Sequence, residues 1–201
     1  MEIETIKKLS GEIHNWAIGK GFWEGEHSDE EKMVLVITEL SEAVEADRRN
    51  KHAKLERFEN FVKNSRIING AHTDSGVTPE DSWIVKFKET IKDSVEDELA
   101  DAYIRLLDLG KARKIVFDDY SYDWGAMELR ADKRFKESSF AEIIYATMAP
   151  IFADNPIETV INQTMISIVW VCEHYGIDLE KHIRLKMEYN KSRERMHGKK
   201  Y

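Results

Sequence analysis

The chain carries one cysteine in 201 residues, Cys172. A lone thiol excludes an internal disulfide framework and fits a reducing compartment. Proline is nearly as scarce. Pro79, Pro150 and Pro156, with ten glycines, leave few places where a helix must break. Long apolar runs are missing too. The longest uncharged apolar-rich stretch, 143–153, falls short of the ~20 residues that a bilayer takes, and Pro150 interrupts it. The opening MEIETIKKLS lacks the basic-then-apolar pattern of a secretory leader. The expectation is a soluble, cytoplasmic protein with no membrane partner. Positive charge is also in deficit, 30 Lys+Arg against 38 Asp+Glu for a formal charge of −8. That balance argues against a nucleic-acid polymer as partner, because such binding rests on a surplus of cations. Acidic residues can instead hold a hard cation, which in turn can bring a phosphate to an acidic protein.

What the sequence does have is helix punctuation. Ser28-Asp-Glu-Glu31 and Ser139-Phe-Ala-Glu142 read as capping boxes. Thr78-Pro79 and Asn155-Pro156 each put a cap residue before a proline at the first helical position. Gly176 followed by Asp178 ends one helix and starts another. The resulting map has helices over about 2–19, 29–49 (continuing as far as 62), 79–110, 139–152, 156–175 and 178–195. Residues 64–77 read as a loop, and 114–117 is the only candidate strand. The fold class is all-α, a helical bundle forming one domain over 1–201. Residues 111–138 read as an insertion, because Tyr120, Tyr122 and Trp124 crowd among aspartates without a helical period. It is either a surface excursion packed by its own rings or an arm that meets another subunit or covers a site.

Acid pairs spaced by three recur throughout so charged a chain, and most such pairs are solvated helix faces. Two stand apart by context. Glu39 and Glu42 follow the apolar run 33–37, and Glu98 and Asp101 lie beside Ile91, Val95, Leu99, Ala102 and Leu106. Members of each pair sit about 60° apart on one helix face. Four carboxylates brought together at an apolar seam would repel one another and lose hydration. They would need compensation, and Mg²⁺ (or Mn²⁺) is the natural source. A di-iron carboxylate site would want Glu-x-x-His on two core helices. Its only instances here, Glu24/His27 and Glu194/His197, lie on no apolar helix.

Near the C-terminus, Lys186, Asn190 and Arg193 are spaced by four and three and line one helical stripe. A cation, an amide and a guanidinium in a row suit phosphate oxygens; a solvated basic tail would look the same in composition. At the other end, HNWAIGKGFW gathers His14, Trp16, Phe22 and Trp23. Such rings can stack a nucleobase or pack as core.

Taken together, Glu-x-x-Glu, then Glu-x-x-Asp on a later helix, then Lys-x-x-x-Asn-x-x-Arg resemble the MazG-like all-α nucleoside triphosphate pyrophosphohydrolases, a superfamily that includes dimeric dUTPases and dCTP pyrophosphatases. The resemblance covers about 1–48, 90–109 and 157–201, and is closest in AIGKGFW and RLKMEYNKSRERMHGKKY. It implies Mg²⁺ held by Glu39, Glu42, Glu98 and Asp101, with Lys186, Asn190 and Arg193 on the phosphates. It implies an Mg²⁺-dependent hydrolase that converts a (d)NTP to (d)NMP and pyrophosphate, with Glu42, Glu39 and Lys186 in catalysis and Trp16, Trp23 and His14 at the base. Homodimers or homotetramers with sites built between chains are implied as well. Two departures bear on substrate choice and assembly: 55 residues separate Glu42 from Glu98, and 111–155 contains inserted sequence. The alternatives are a narrow dUTPase- or dCTPase-like enzyme, or a helical interaction module without turnover.

Overall fold

The computed structural model describes residues 1–68, 78–117 and 136–198. Those residues are helical with no strand, an all-α bundle. The helices are α1 (Ile3–Gly19), α2 (Asp29–Arg48), α3 (Leu55–Ile68), α4 (Pro79–Thr90), α5 (Val95–Ala112), α6 (Phe140–Met148), α7 (Ile157–His174) and α8 (Leu179–Lys191). Short 3₁₀ turns follow α6 at Ala149–Phe152 and α8 at Arg195–Gly198.

Caps written into the sequence start most of these helices. Ser28, Thr78, Ser94, Ser139 and Asp178 each accept a hydrogen bond from the backbone N–H three residues on, which satisfies a donor the helix itself cannot pair. At Ser139 the reciprocal bond from Ser139 N–H to Glu142 completes the box. At Ser28 it does not, because Glu31 turns to His27 instead, Oε1 to Nδ1 3.0 Å. Nor does Asn155 cap α7. Pro156 occupies the cap position, and no side chain closes that end.

Several expected boundaries move. The second helix stops at Arg48 because Asn50 takes a left-handed conformation, φ 49°, which asparagine tolerates better than most residues. Residues 64–68 belong to α3 and are not loop. The single helix expected over 79–110 is two, broken at Asp93 (φ 57°), whose N–H donates to Asp97 Oδ2 at 2.9 Å. The candidate strand 114–117 is a helix-terminating turn, with Lys114 at φ 58° and Ile115 N–H bonded to the Gly110 carbonyl. The last long helix ends at Lys191, four residues short of expectation. The 69–77 part of the expected loop and 118–135 of the proposed insertion, with Tyr120, Tyr122 and Trp124, lie outside the described residues.

Helix α5 is the axis of the bundle. It packs against α1, α2, α7 and α8, and most of its eighteen residues are buried. The main core runs from Ile6, Leu9 and Ile13 through Val36 and Leu40 to Leu99, Tyr103 and Leu106, then on to Ile161, Ile168 and Ile183. The 33–37 run is buried on one side only: Met33 and Val36 are in the core, whereas Val34 is 57% exposed. A smaller aromatic cluster joins α3 and α4 to α8. Trp83 stacks on Phe87 (5.4 Å), and Phe87 on Tyr189 (4.7 Å). The segment after α8 is tied to the end of α1: Lys20 donates to the Lys191 and Arg193 carbonyls, and Met196 N–H bonds to the Lys20 carbonyl.

Gly110 shows packing overriding propensity. Alanine in a helix is about 1 kcal/mol better than glycine, yet a Cβ here would lie 2.7 Å from the buried Phe117 ring. Gly110→Ala is therefore expected to lower the urea midpoint, and Phe117→Leu in the same chain to restore part of the loss. A midpoint raised by Gly110→Ala alone would contradict this packing.

Candidate metal and phosphate site

Glu39 on α2 and Glu98 and Asp101 on α5 bring one carboxylate oxygen each to within 4.8 Å of one another. Their helices are held side by side by apolar contacts from Val36, Leu40 and Ala43 on α2 and Leu99, Ala102 and Leu106 on α5. The three acids therefore face each other because the residues between them cannot stay in water. Glu39 and Glu98 are 5% and 3% exposed, and Asp101 is half-buried. Glu42 lies one turn further along α2, exposed, on the wall of the same cavity but outside the compact group. The expected four-acid ligand set is thus three acids with Glu42 beside them.

Two cations partly compensate this charge. Arg105 donates to Glu39 Oε1 through Nε (2.8 Å) and Nη2 (2.5 Å). Lys186, 4% exposed, places its ammonium 2.7 Å from Asp97 and 2.9 Å from Asp101. Burial would push the Lys186 ammonium down, but Asp101, Asp97 and Glu98 outweigh it and hold it above the ordinary lysine range. Lys186 was expected on phosphate. It lines the cavity with its ammonium paired to two aspartates, so it also anchors the acid cluster.

The compensation is incomplete. Burial, with Asp101 and Glu42 adding repulsion, raises Glu39 against the pull of Arg105. Burial also raises Asp97, whose Oδ1 has no hydrogen-bond partner. Among the described residues no ion pair reaches the Glu98 carboxylate. Burial, opposed by Lys186 and reinforced by Asp97, Asp101 and Glu39, pushes it up to about 9. Such a group holds a proton at neutral pH for want of a cation. Oxygen donors, close convergence and an uncompensated acid are what a hard divalent ion requires, so the residues present fit Mg²⁺ or Mn²⁺. A di-iron arrangement is not supported: both His27 ring nitrogens are engaged, by Glu31 and by the Glu24 carbonyl.

The acids open onto a cavity of ≈ 280 Å³ between α1, α2, α5 and α8, near the lower end of the ~300–1,000 Å³ usual for small-molecule pockets. Asn190 and Arg193 line it next to Lys186, so the predicted stripe is brought to one wall. Asn190 is 2% exposed, and its Oδ1 is unpartnered. Lys92 adds a further cation, paired with its neighbour Asp93 on the same wall.

The aromatic end differs from expectation. Trp16 and Phe22 line the cavity, their ring centroids 5.8 Å apart, whereas His14 and Trp23 stand behind it. His14 Nδ1 lies 2.6 Å from Asp108 Oδ1, and Trp23 Nε1–H donates to both Asp108 oxygens at 2.9 and 3.0 Å. The Trp23 ring is also covered, by Lys32 at 4.6 Å and the Arg113 guanidinium at 5.8 Å. These two rings therefore hold Asp108 and are not open to a base. Asp97, Arg105 and Asp108 are the site residues that the motif reading missed. A signal for two of them was present: Glu98, Asp101, Arg105 and Asp108 recur at three- and four-residue spacing, a polar stripe on an otherwise apolar helix.

No family model matches the chain, and no curated protein or solved structure does either. The site therefore has to be read from its own geometry.

The proton on Glu98 gives a pH test. Between the ordinary glutamate value of 4.5 and about 9, the folded chain keeps a proton that the unfolded chain has lost. In chelator, stability is therefore expected to fall as pH rises from 6 to 9. Saturating Mg²⁺ should flatten that slope, and Mg²⁺ affinity should rise with pH over the same range. Urea midpoints at several pH values check both, and a metal-independent slope would contradict them.

Proposed function

We propose that the protein is a Mg²⁺-dependent nucleoside triphosphate pyrophosphohydrolase, cleaving the α–β phosphoanhydride bond to give a nucleoside monophosphate and pyrophosphate. The observation that carries this reading is the convergence of Glu39, Glu98 and Asp101 on a nucleotide-scale cavity whose other walls bear Asn190, Arg193 and the Trp16 ring. The motif resemblance in the sequence supports the same activity, nucleotide-pool housecleaning, and assembly as a homodimer or homotetramer.

Glu39, Glu98 and Asp101 would hold the ion. Once bound, Mg²⁺ would neutralise phosphate charge and favour ionisation of water. Arg105 and Lys186 fix the orientation of Glu39 and Asp101, so the ligands are positioned before the substrate arrives. Glu98 would serve as a ligand in its ionised form, its proton given up to solvent. Glu42, exposed on the cavity wall, takes the proton of the attacking water. Arg193 and Lys92 balance the negative charge that builds on the departing pyrophosphate. Asn190 contributes an amide that can donate to a phosphate oxygen.

Purified protein with a panel of nucleoside triphosphates and Mg²⁺ should release pyrophosphate, and chelation should abolish the release. Glu98→Gln is the informative variant, because its carboxamide mimics the protonated acid. It should keep the metal-free urea midpoint at neutral pH but lower kcat/KM by about 10²-fold or more. The Glu39→Gln/Glu98→Gln double variant should be inactive; wild-type pyrophosphate release from it would refute the assignment. A non-catalytic interaction module would instead bind neither Mg²⁺ nor a non-hydrolysable nucleotide in calorimetry.

A further inference from the structure

The cavity lining also includes the apolar side chains of Ile13, Trp16, Phe22 and Leu35. Two charged groups break that surface, Asp108 and Lys32. Asp108 is not a chance surface acid. Burial raises it, while His14 and Trp23 counter by bonding to its carboxylate, and both of its oxygens are fixed in place by those donors. His14 and the Trp23 indole use the capacity of Oδ1, whereas Oδ2 accepts one N–H and keeps room for another. Lys32 is fixed likewise, donating to the Phe22 carbonyl at 3.0 Å and resting over the Trp23 ring.

A rigid carboxylate in an apolar wall is a selective element. It welcomes an N–H donor and repels a carbonyl oxygen that has been stripped of water. We propose that Asp108 selects the base: the cavity takes nucleotides whose base carries an exocyclic amino group (cytosine, adenine or guanine) and rejects uracil and thymine. This rests on the nucleotide reading of the cavity given above and narrows it away from a dUTPase-like specificity. Uracil and thymine carry only one ring N–H, flanked by two carbonyls, so a carboxylate set to take an amino group meets an oxygen in its place. Lys32 keeps two further N–H donors for the unprotonated ring nitrogen that adjoins the amino group, N3 in cytosine and guanine and N1 in adenine. His14 and Trp23 are positioning residues that act through Asp108.

The test compares nucleotides with and without the amino group on the unaltered protein, one pair differing in that group alone and one in which a carbonyl replaces it. kcat/KM for ATP should exceed that for purine riboside triphosphate, which lacks the 6-amino group, by about tenfold or more. dCTP should exceed dUTP by a similar factor. Asp108→Asn, which offers a donor as well as an acceptor, should bring the dCTP/dUTP ratio close to one, chiefly by lowering KM for dUTP. Equal use of ATP and its deaminated analogue, or of dCTP and dUTP, would overturn the proposal, and so would an Asp108→Asn variant that loses all nucleotides in equal measure. Binding of the same pairs, measured by calorimetry with Ca²⁺ in place of Mg²⁺, separates the two readings. Amino-dependent binding without hydrolysis removes only the hydrolase assignment. Hydrolysis without amino discrimination removes only the role given to Asp108, and absence of both removes both.

Discussion

Helices α2 and α5 pack through aliphatic side chains, and the same contact takes Glu39, Asp97 and Glu98 out of water. Everything distinctive about the molecule follows from how that charge is tolerated. Arg105, half-buried, and Lys186, buried, supply two positive charges against Glu39, Asp97, Glu98 and Asp101. The remainder is left to a proton on Glu98. A buried acid held neutral by a proton adds little to a fold that an aliphatic residue could not supply better. It lines the cavity beside Glu39 and Asp101, and a divalent cation is the kind of charge that would relieve the repulsion among the three.

The cavity has two chemical ends, and one helix serves both. Along α5 the polar stripe passes from Glu98 and Asp101, through Arg105, to Asp108. The first pair suits a cation and phosphates, and the last suits a nitrogen donor in an apolar setting. The opposite wall is built from parts remote in sequence. Trp16 and Phe22 come from the end of α1 and the turn after it, and Asn190 and Arg193 from the last turn of α8 and just beyond. Lys20, bonded to the Lys191 and Arg193 carbonyls, joins those two walls. A nucleotide bound here would bridge the two ends of the chain.

Much of the fold was legible because helix starts are local chemistry. Serine, threonine or aspartate followed by a free N–H three residues on needs no partner from elsewhere; Thr78, Ser139 and Asp178 act as read, and Ser28 caps its helix without the reciprocal bond from Glu31. The ends were harder. Asn50, Asp93 and Lys114 stop or turn the chain in left-handed conformations that glycine would have announced and these residues do not. Ser94, with Asp97 three residues on, did carry the signal for the break between α4 and α5.

For the site, sequence by itself determined which residue types share a helix face: Glu39 with Glu42, Glu98 with Asp101, and Lys186 with Asn190, whereas Arg193, expected on the same stripe, lies beyond the end of α8. That is a matter of 3.6 residues per turn. Only the tertiary structure decided which of them meet. It paired Lys186 with Asp97 and Asp101 while keeping it on the cavity wall, left Glu42 outside the compact acid group, and set His14 and Trp23 behind Asp108. Such choices depend on which helices lie side by side and how far each is rotated. They are settled by the sum of many apolar contacts across the bundle, and no short motif encodes that sum.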